Sequence, residues 1–177
     1  MRECPAQKRV GTDMSDTPFV PTLGLRHAVL WVTNPQASAR FYEQTLGLVV
    51  KANHGDLVFL TSPRSATDHD LGLFKAASPS PPMPKSVGLY HLSWEVATLN
   101  ELDAARDRLV AMGAYCGESD HLVSRSIYAR DPDGIEFEVM WEVPLDRLDT
   151  DETTTRPLNL DAAIAEFGAD TLGRGAT

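Results

Sequence analysis

The chain has 177 residues, 42% of them hydrophobic and 23% charged, which suits one globular domain or two small halves packed together. Its formal net charge of −9 leaves no basic surface of the kind that nucleic acid or an anionic membrane requires. No apolar run reaches the length of a membrane span and no apolar leader opens the chain, and Cys4 and Cys116 are too few for a disulfide framework; a reduced, cytoplasmic compartment is expected.

Residues 1–22 are polar, broken by Pro5, Pro18 and Pro21, and read as a flexible arm with Met14 as an alternative start. Leu25–Val32 reads as a strand. Asn34 then offers an N-cap and Pro35 a first helical residue, which predicts a helix to about Thr45, ended at Leu46-Gly47. Three short strands are expected at Leu48–Ala52, Asp56–Thr61 and Asp70–Lys75. Ala76–Lys85 is rich in Pro and Ser and reads as a linker.

The same order then recurs. Val87–Val96 reads as a strand, and Thr98 with Glu101 fits a capping box. Leu102, Ala105, Leu109 and Met112 mark one face of the helix that follows, and Gly113 ends it. Strands are expected at Tyr115–Glu118, Ser124–Ala129 and Ile135–Glu142. The last two are joined by Asp131-Pro132-Asp133-Gly134, in which Pro132 presets φ and Gly134 closes a tight turn. The acidic tail, 144–177, is expected to wrap the surface or end disordered, with a short helix at Asp161–Phe167.

A duplication with a period of about 64 residues, from His27 to His91, fixes the predicted fold. It is α+β: two βαβββ modules, at about 23–76 and 86–143, forming one open, cup-shaped half-barrel with helices outside. Within it, Glu136, Glu138 and Met140 point to one face of the last strand, and Phe137, Val139 and Trp141 to the other. His27 and His91 hold matching places in the first strands of the two modules. With Glu138 they make two imidazoles and a carboxylate, a facial triad that leaves coordination positions open.

These segments resemble the vicinal oxygen chelate superfamily, which includes glyoxalase I, fosfomycin-resistance enzymes and bleomycin-binding proteins. The resemblance runs from about Leu25 to Val143. It rests on His27 followed by Asn34-Pro35 and Phe41-Tyr42-Glu43-Gln44-Thr45-Leu46-Gly47, on Tyr90-His91-Leu92, and on Asp131-Pro132-Asp133-Gly134 with Glu138 four residues later. Within that superfamily, Tyr128, the segment around His69 (Asp68–Leu73) and the segment around His121 (Asp120–Ser124) resemble one-domain extradiol ring-cleavage dioxygenases. Ile135 departs from the family's usual Asn after the turn, without altering the ligand register.

The resemblance implies metal ligands His27, His91 and Glu138, with His69, Tyr128 and His121 as catalytic residues. It implies Fe(II), with Mn(II) as the lesser alternative, and a catechol-type substrate cleaved with O2 beside its hydroxyls. His69 would handle the proton; Tyr128 and His121 would hydrogen-bond the catecholate or a developing oxyanion. A homodimer or higher homo-oligomer is implied too, with no nucleic acid or membrane partner. The alternatives are another metal enzyme of this fold (glyoxalase-, epimerase- or fosfomycin-resistance-like) or a metal-free small-molecule binder. Glyoxalase I draws a further ligand from the first half, where Asp70–Lys75 offers only Asp70. Trp31, Trp94 and Trp141 fit core or cup-wall positions.

Overall fold

Asn34 and Thr98 decide where the two main helices begin. The computed structural model describes residues 22–78, 80, 82–83, 85–149 and 154–176; the proposed arm up to residue 21, with Cys4 and Met14, lies outside them. Asn34 accepts a hydrogen bond from the Ala37 amide and opens α1 (Pro35–Leu46), which ends at Gly47 in the left-handed region, φ 65°. Thr98 does the same with the Glu101 amide and opens α2 (Leu99–Ala111). Each such cap is worth about 1 kcal/mol.

Around α1 lie β1 (Ala28–Val32), β2 (Val49–Asn53), β3 (Leu57–Thr61) and β4 (Leu71–Lys75), in the sheet order β1-β4-β3-β2. Around α2 lie β5 (Leu92–Glu95), β6 (Tyr115–Asp120), β7 (Ser124–Arg130) and β8 (Glu136–Glu142), ordered β5-β8-β7-β6. In both sheets the first strand runs parallel to the last and the other pairs are antiparallel. The result is two open four-stranded mixed sheets of the same topology, an α+β architecture.

Alternation sorts each sheet into a covered and an open face. Leu30, Val32, Val58, Leu60, Leu71 and Leu73 are buried, while Val29 and Trp31, at the odd positions of β1, stay exposed. In the second sheet Phe137, Val139 and Trp141 are buried against Ile127 and Ala129. The modules meet on their covered sides: Phe41 and Tyr42 of α1 lie edge-on to Phe137 with ring centroids 6.0 and 5.8 Å apart.

Two strand starts differ most from the expectation, and for one physical reason. The strands expected from Leu25 and Val87 begin at Ala28 and Leu92, because their parallel partners start late. Leu92 pairs with Phe137, and the chain before Glu136 is already the Asp131–Gly134 turn; Ala28 pairs with Leu71. His27 and His91 therefore stand one residue before their strands. Met112, expected on the apolar face of α2, is exposed, and Leu99 is buried instead.

From Thr154 to Ala176 the chain straps across the second module, with α3 (Leu160–Phe167) burying Leu160, Ala163 and Phe167. Among the described residues, no helix is long and apolar enough to cross a membrane.

Candidate active site

The open face of the second sheet carries the chemistry. Ser93, Glu138 and Tyr128 stand side by side across β5, β8 and β7. The period of two that buries Phe137 and Val139 turns Glu138 to this face, and the same period turns Tyr128 beside it. His91 precedes β5, and its Nε2 lies 3.4 Å from Glu138 Oε2.

Glu138 is only 8% exposed. A carboxylate so placed needs compensation, and His91 is its ion-pair partner among the described residues. His91 Nδ1 is itself buried without a hydrogen-bond partner, as is Ser126 Oγ, on the same face two residues before Tyr128. The Tyr128 hydroxyl is pushed up to about 12, by burial first and by the Glu138 charge second.

Tyr128 leads on to His121, whose Nε2 is 2.8 Å from the phenol oxygen. The other ring nitrogen, Nδ1, is 2.8 Å from the Thr154 carbonyl oxygen. The structure thus joins His91, Glu138, Tyr128 and His121 in one continuous run. Thr154 was not legible in advance: it lies 33 residues from His121, and a backbone carbonyl has no sequence signature.

His27 and His69 sit together on the first sheet, with ring centroids 4.5 Å apart. His69 also meets Phe59 edge-on at 5.0 Å, and its Nδ1 is 3.0 Å from Asp68 Oδ2. Lys51 beside Asp68 holds that carboxyl down at about 2. Phe59, Phe74 and Trp31 continue the line of rings, each 5.8 Å from the next. Trp31, to which the sequence assigned no chemistry, is 61% exposed on that open face.

A divalent metal fits the second module in part. His91 Nε2, facing the buried Glu138 carboxylate, is with it a pair of donors suited to a cation. Yet among the described residues no three His, Cys, Asp or Glu side chains are gathered to hold one. One chain presents the His91–Glu138 pair on its second sheet and the His27–His69 pair on its first.

A family model for the glyoxalase/bleomycin resistance protein/dioxygenase superfamily matches residues 24–139. The chain belongs to this superfamily. Among curated proteins it resembles a catechol-2,3-dioxygenase from Bacillus subtilis (strain 168), 27% identical over 150 residues, covering 80% of this chain and 51% of the relative. The chain thus spans about half the length of that relative. A glyoxylase/bleomycin resistance protein/dioxygenase domain from Frankia sp. EAN1pec superposes with a TM-score of 0.58 at 23% identity, covering 69% of this chain and 99% of that one. A lactoylglutathione lyase from Agrobacterium tumefaciens superposes with a TM-score of 0.52 at 26% identity, covering 68% and 95%. A shared fold does not fix the chemistry, which depends on the side chains at the site.

Proposed function

We propose that the protein is a non-haem Fe(II) extradiol dioxygenase that opens the ring of a catechol-type diol. The observation that carries this reading is the Tyr128–His121 hydrogen bond standing directly beside the His91–Glu138 pair. A chelated diol must lose a hydroxyl proton, and this pair offers a path to take it. Both atoms of O2 enter the product of ring opening and no proton is consumed overall, so the same path must return it. The resemblance to a catechol-2,3-dioxygenase supports the same chemistry.

His91 and Glu138 would hold the metal, with His27 as the third ligand. Bound there, Fe(II) supplies open positions at which a diol and O2 meet. Tyr128 orients the diol through its oxygen, and His121 holds the proton at Nε2. Because His27 lies on the other sheet, we infer that a second copy of the chain brings it. The half-barrel is then closed between two subunits, and His69 arrives with His27 as a further acid–base group. Val29 and Trp31, exposed beside them, would be covered in the same step.

The test is oxygen uptake after anaerobic loading with Fe(II), offering catechol, methylcatechols and 2,3-dihydroxybiphenyl. One O2 consumed per diol, matched by a yellow ring-opened product, is the expected result. Bound iron without uptake on any of the diols would overturn the reading and direct assays to thiol-dependent isomerisation with Mn, Ni or Zn.

A further inference from the structure

His121 is held from both ring nitrogens, and the two partners are chemically unequal. The Thr154 carbonyl, 2.8 Å from Nδ1, can only accept a hydrogen bond. The Thr155 hydroxyl also lies 3.3 Å from Nδ1, but the carbonyl is the nearer partner and can only accept, which places the ring proton on Nδ1. In the neutral ring Nε2 is then a lone pair, and the Tyr128 hydroxyl at 2.8 Å must be the donor.

We propose that residues 154–156 are positioning residues for the site, fixing His121 as its Nδ1–H tautomer so that Nε2 accepts the Tyr128 proton. The carbonyl that does this is not a loose end. Asp120 and Arg156 exchange both backbone hydrogen bonds, at 2.9 and 3.0 Å. The Arg156 guanidinium closes the same ring on the Asp120 carboxylate at 2.9 Å. That carboxylate also takes the buried Arg125 at 3.0 Å and the Leu122 amide at 2.8 Å. Leu122 has φ 68°, a left-handed backbone that a branched apolar residue adopts only where its surroundings enforce it. His121 sits between these two anchored neighbours. Downstream, the strap is secured by Phe167, over whose ring the Arg125 and Arg147 guanidiniums stand at 5.2 and 4.9 Å.

The assignment determines what Tyr128 can offer a ligand. With Nε2 as the acceptor, its single proton goes to His121 rather than to the neighbouring Glu138 carboxylate, and its oxygen presents a lone pair to the open face. That suits a substrate group that donates, a hydroxyl, over one that only accepts, a carbonyl or oxyanion. A diol hydroxyl donating to Tyr128 while Tyr128 donates to His121 forms a two-step relay, with the proton ending on Nε2. Here Tyr128 takes a proton from the substrate, whereas the sequence-based expectation had it donate to an oxyanion. The substrate part of this inference rests on the proposed diol chemistry; the tautomer does not.

The experiment is nitrogen NMR of the full-length, metal-free protein with 15N-labelled histidine. The spectrum of the His121→Gln variant identifies the His121 signals among the five histidines. The expected result is a protonated Nδ1 and an unprotonated Nε2. Arg156→Pro removes both the amide and the guanidinium that tie the strap to Asp120, and should return His121 to the Nε2–H form usual for free imidazole. Arg156→Ala removes the guanidinium alone and should give a mixture, which keeps the test usable if the proline variant folds poorly. An Nε2–H tautomer in the wild type, or an unchanged Nδ1–H tautomer in both variants, would overturn the proposal. Neither readout involves iron, diol or oxygen, so its failure is distinct from failure of the dioxygenase reading.

Discussion

At the scale of single residues, Tyr128 stands between the His91–Glu138 pair, the proposed metal ligands, and His121, the group proposed to move a proton. Burial and the nearby Glu138 charge both oppose formation of a phenolate, which puts its titration at about 12 against an ordinary value of about 10. The sign follows directly. A group whose folded value is raised stabilises the fold fully below its unfolded value, and that contribution is lost as pH rises through the folded one. In the metal-free protein, Tyr128 should therefore stay protonated where an ordinary tyrosine ionises. A cation at His91 and Glu138 offsets the carboxylate charge and should lower the titration. Subtracting the phenolate absorbance of Tyr128→Phe from that of the wild type isolates this one group. A midpoint at the ordinary value without metal, or no downward movement on adding Mn(II) or Fe(II), would break the link between Tyr128 and Glu138. In ring cleavage, the same variant should lose about 10²–10⁴-fold in kcat.

At the scale of elements, the turn between β7 and β8 does more than reverse the chain. Asp131 Oδ1 accepts the amides of Asp133 and Ile135, and Oδ2 accepts the Tyr42 hydroxyl from α1 at 3.1 Å. Gly134, at φ 82°, lets its amide return to the Asp131 carbonyl. One aspartate thus shapes the turn that sets the register of Glu138 and also pins the first module to the second. Asp131→Ala should cost about 3 kcal/mol in urea denaturation, the scale of leaving buried donors unpaired. Asp131→Asn keeps an acceptor and removes the charge. Burial pushes the Asp131 carboxyl up, so its contribution is present at low pH and is lost as pH rises through the folded value. The stability of Asp131→Asn relative to the wild type should therefore improve from strongly acidic to mildly acidic pH and then level off. A difference that is flat with pH would refute that account.

The turn was readable in advance because Pro132 and Gly134 have narrow backbone preferences, and β8 because its alternation is strict. The ends of β1 and β5 were not, since a strand continues only while a partner runs beside it. His121 could be named from its neighbours in sequence, but not its hold on Thr154. Local chemistry is written in local sequence; contacts across tens of residues emerge only when the chain closes.

At the scale of the whole molecule, the question is how the proposed site, with His27 on one sheet and His91 and Glu138 on the other, becomes one. The modules of a single chain meet through α1, Phe137 and the Asp131 turn, on their covered faces, and His27 stands exposed on the far sheet from His91 and Glu138. If two copies complete each other, every site takes its His27 from one subunit and its His91 and Glu138 from the other, and a two-fold dimer holds two such sites. Two variants that are inactive alone should then rescue each other. His27→Ala and Glu138→Ala each damage every site in their own homodimers. Unfolded, mixed in equal amounts and refolded together, half of the dimers are mixed, and each of these holds one site with both residues intact and one with neither. About a quarter of the wild-type metal content and ring-cleaving activity should return, following from the symmetry alone. A site built within one chain gives a different outcome, because each subunit would keep its own defect whatever its partner. Mixing would then restore nothing, and sedimentation would still report whether dimers had formed.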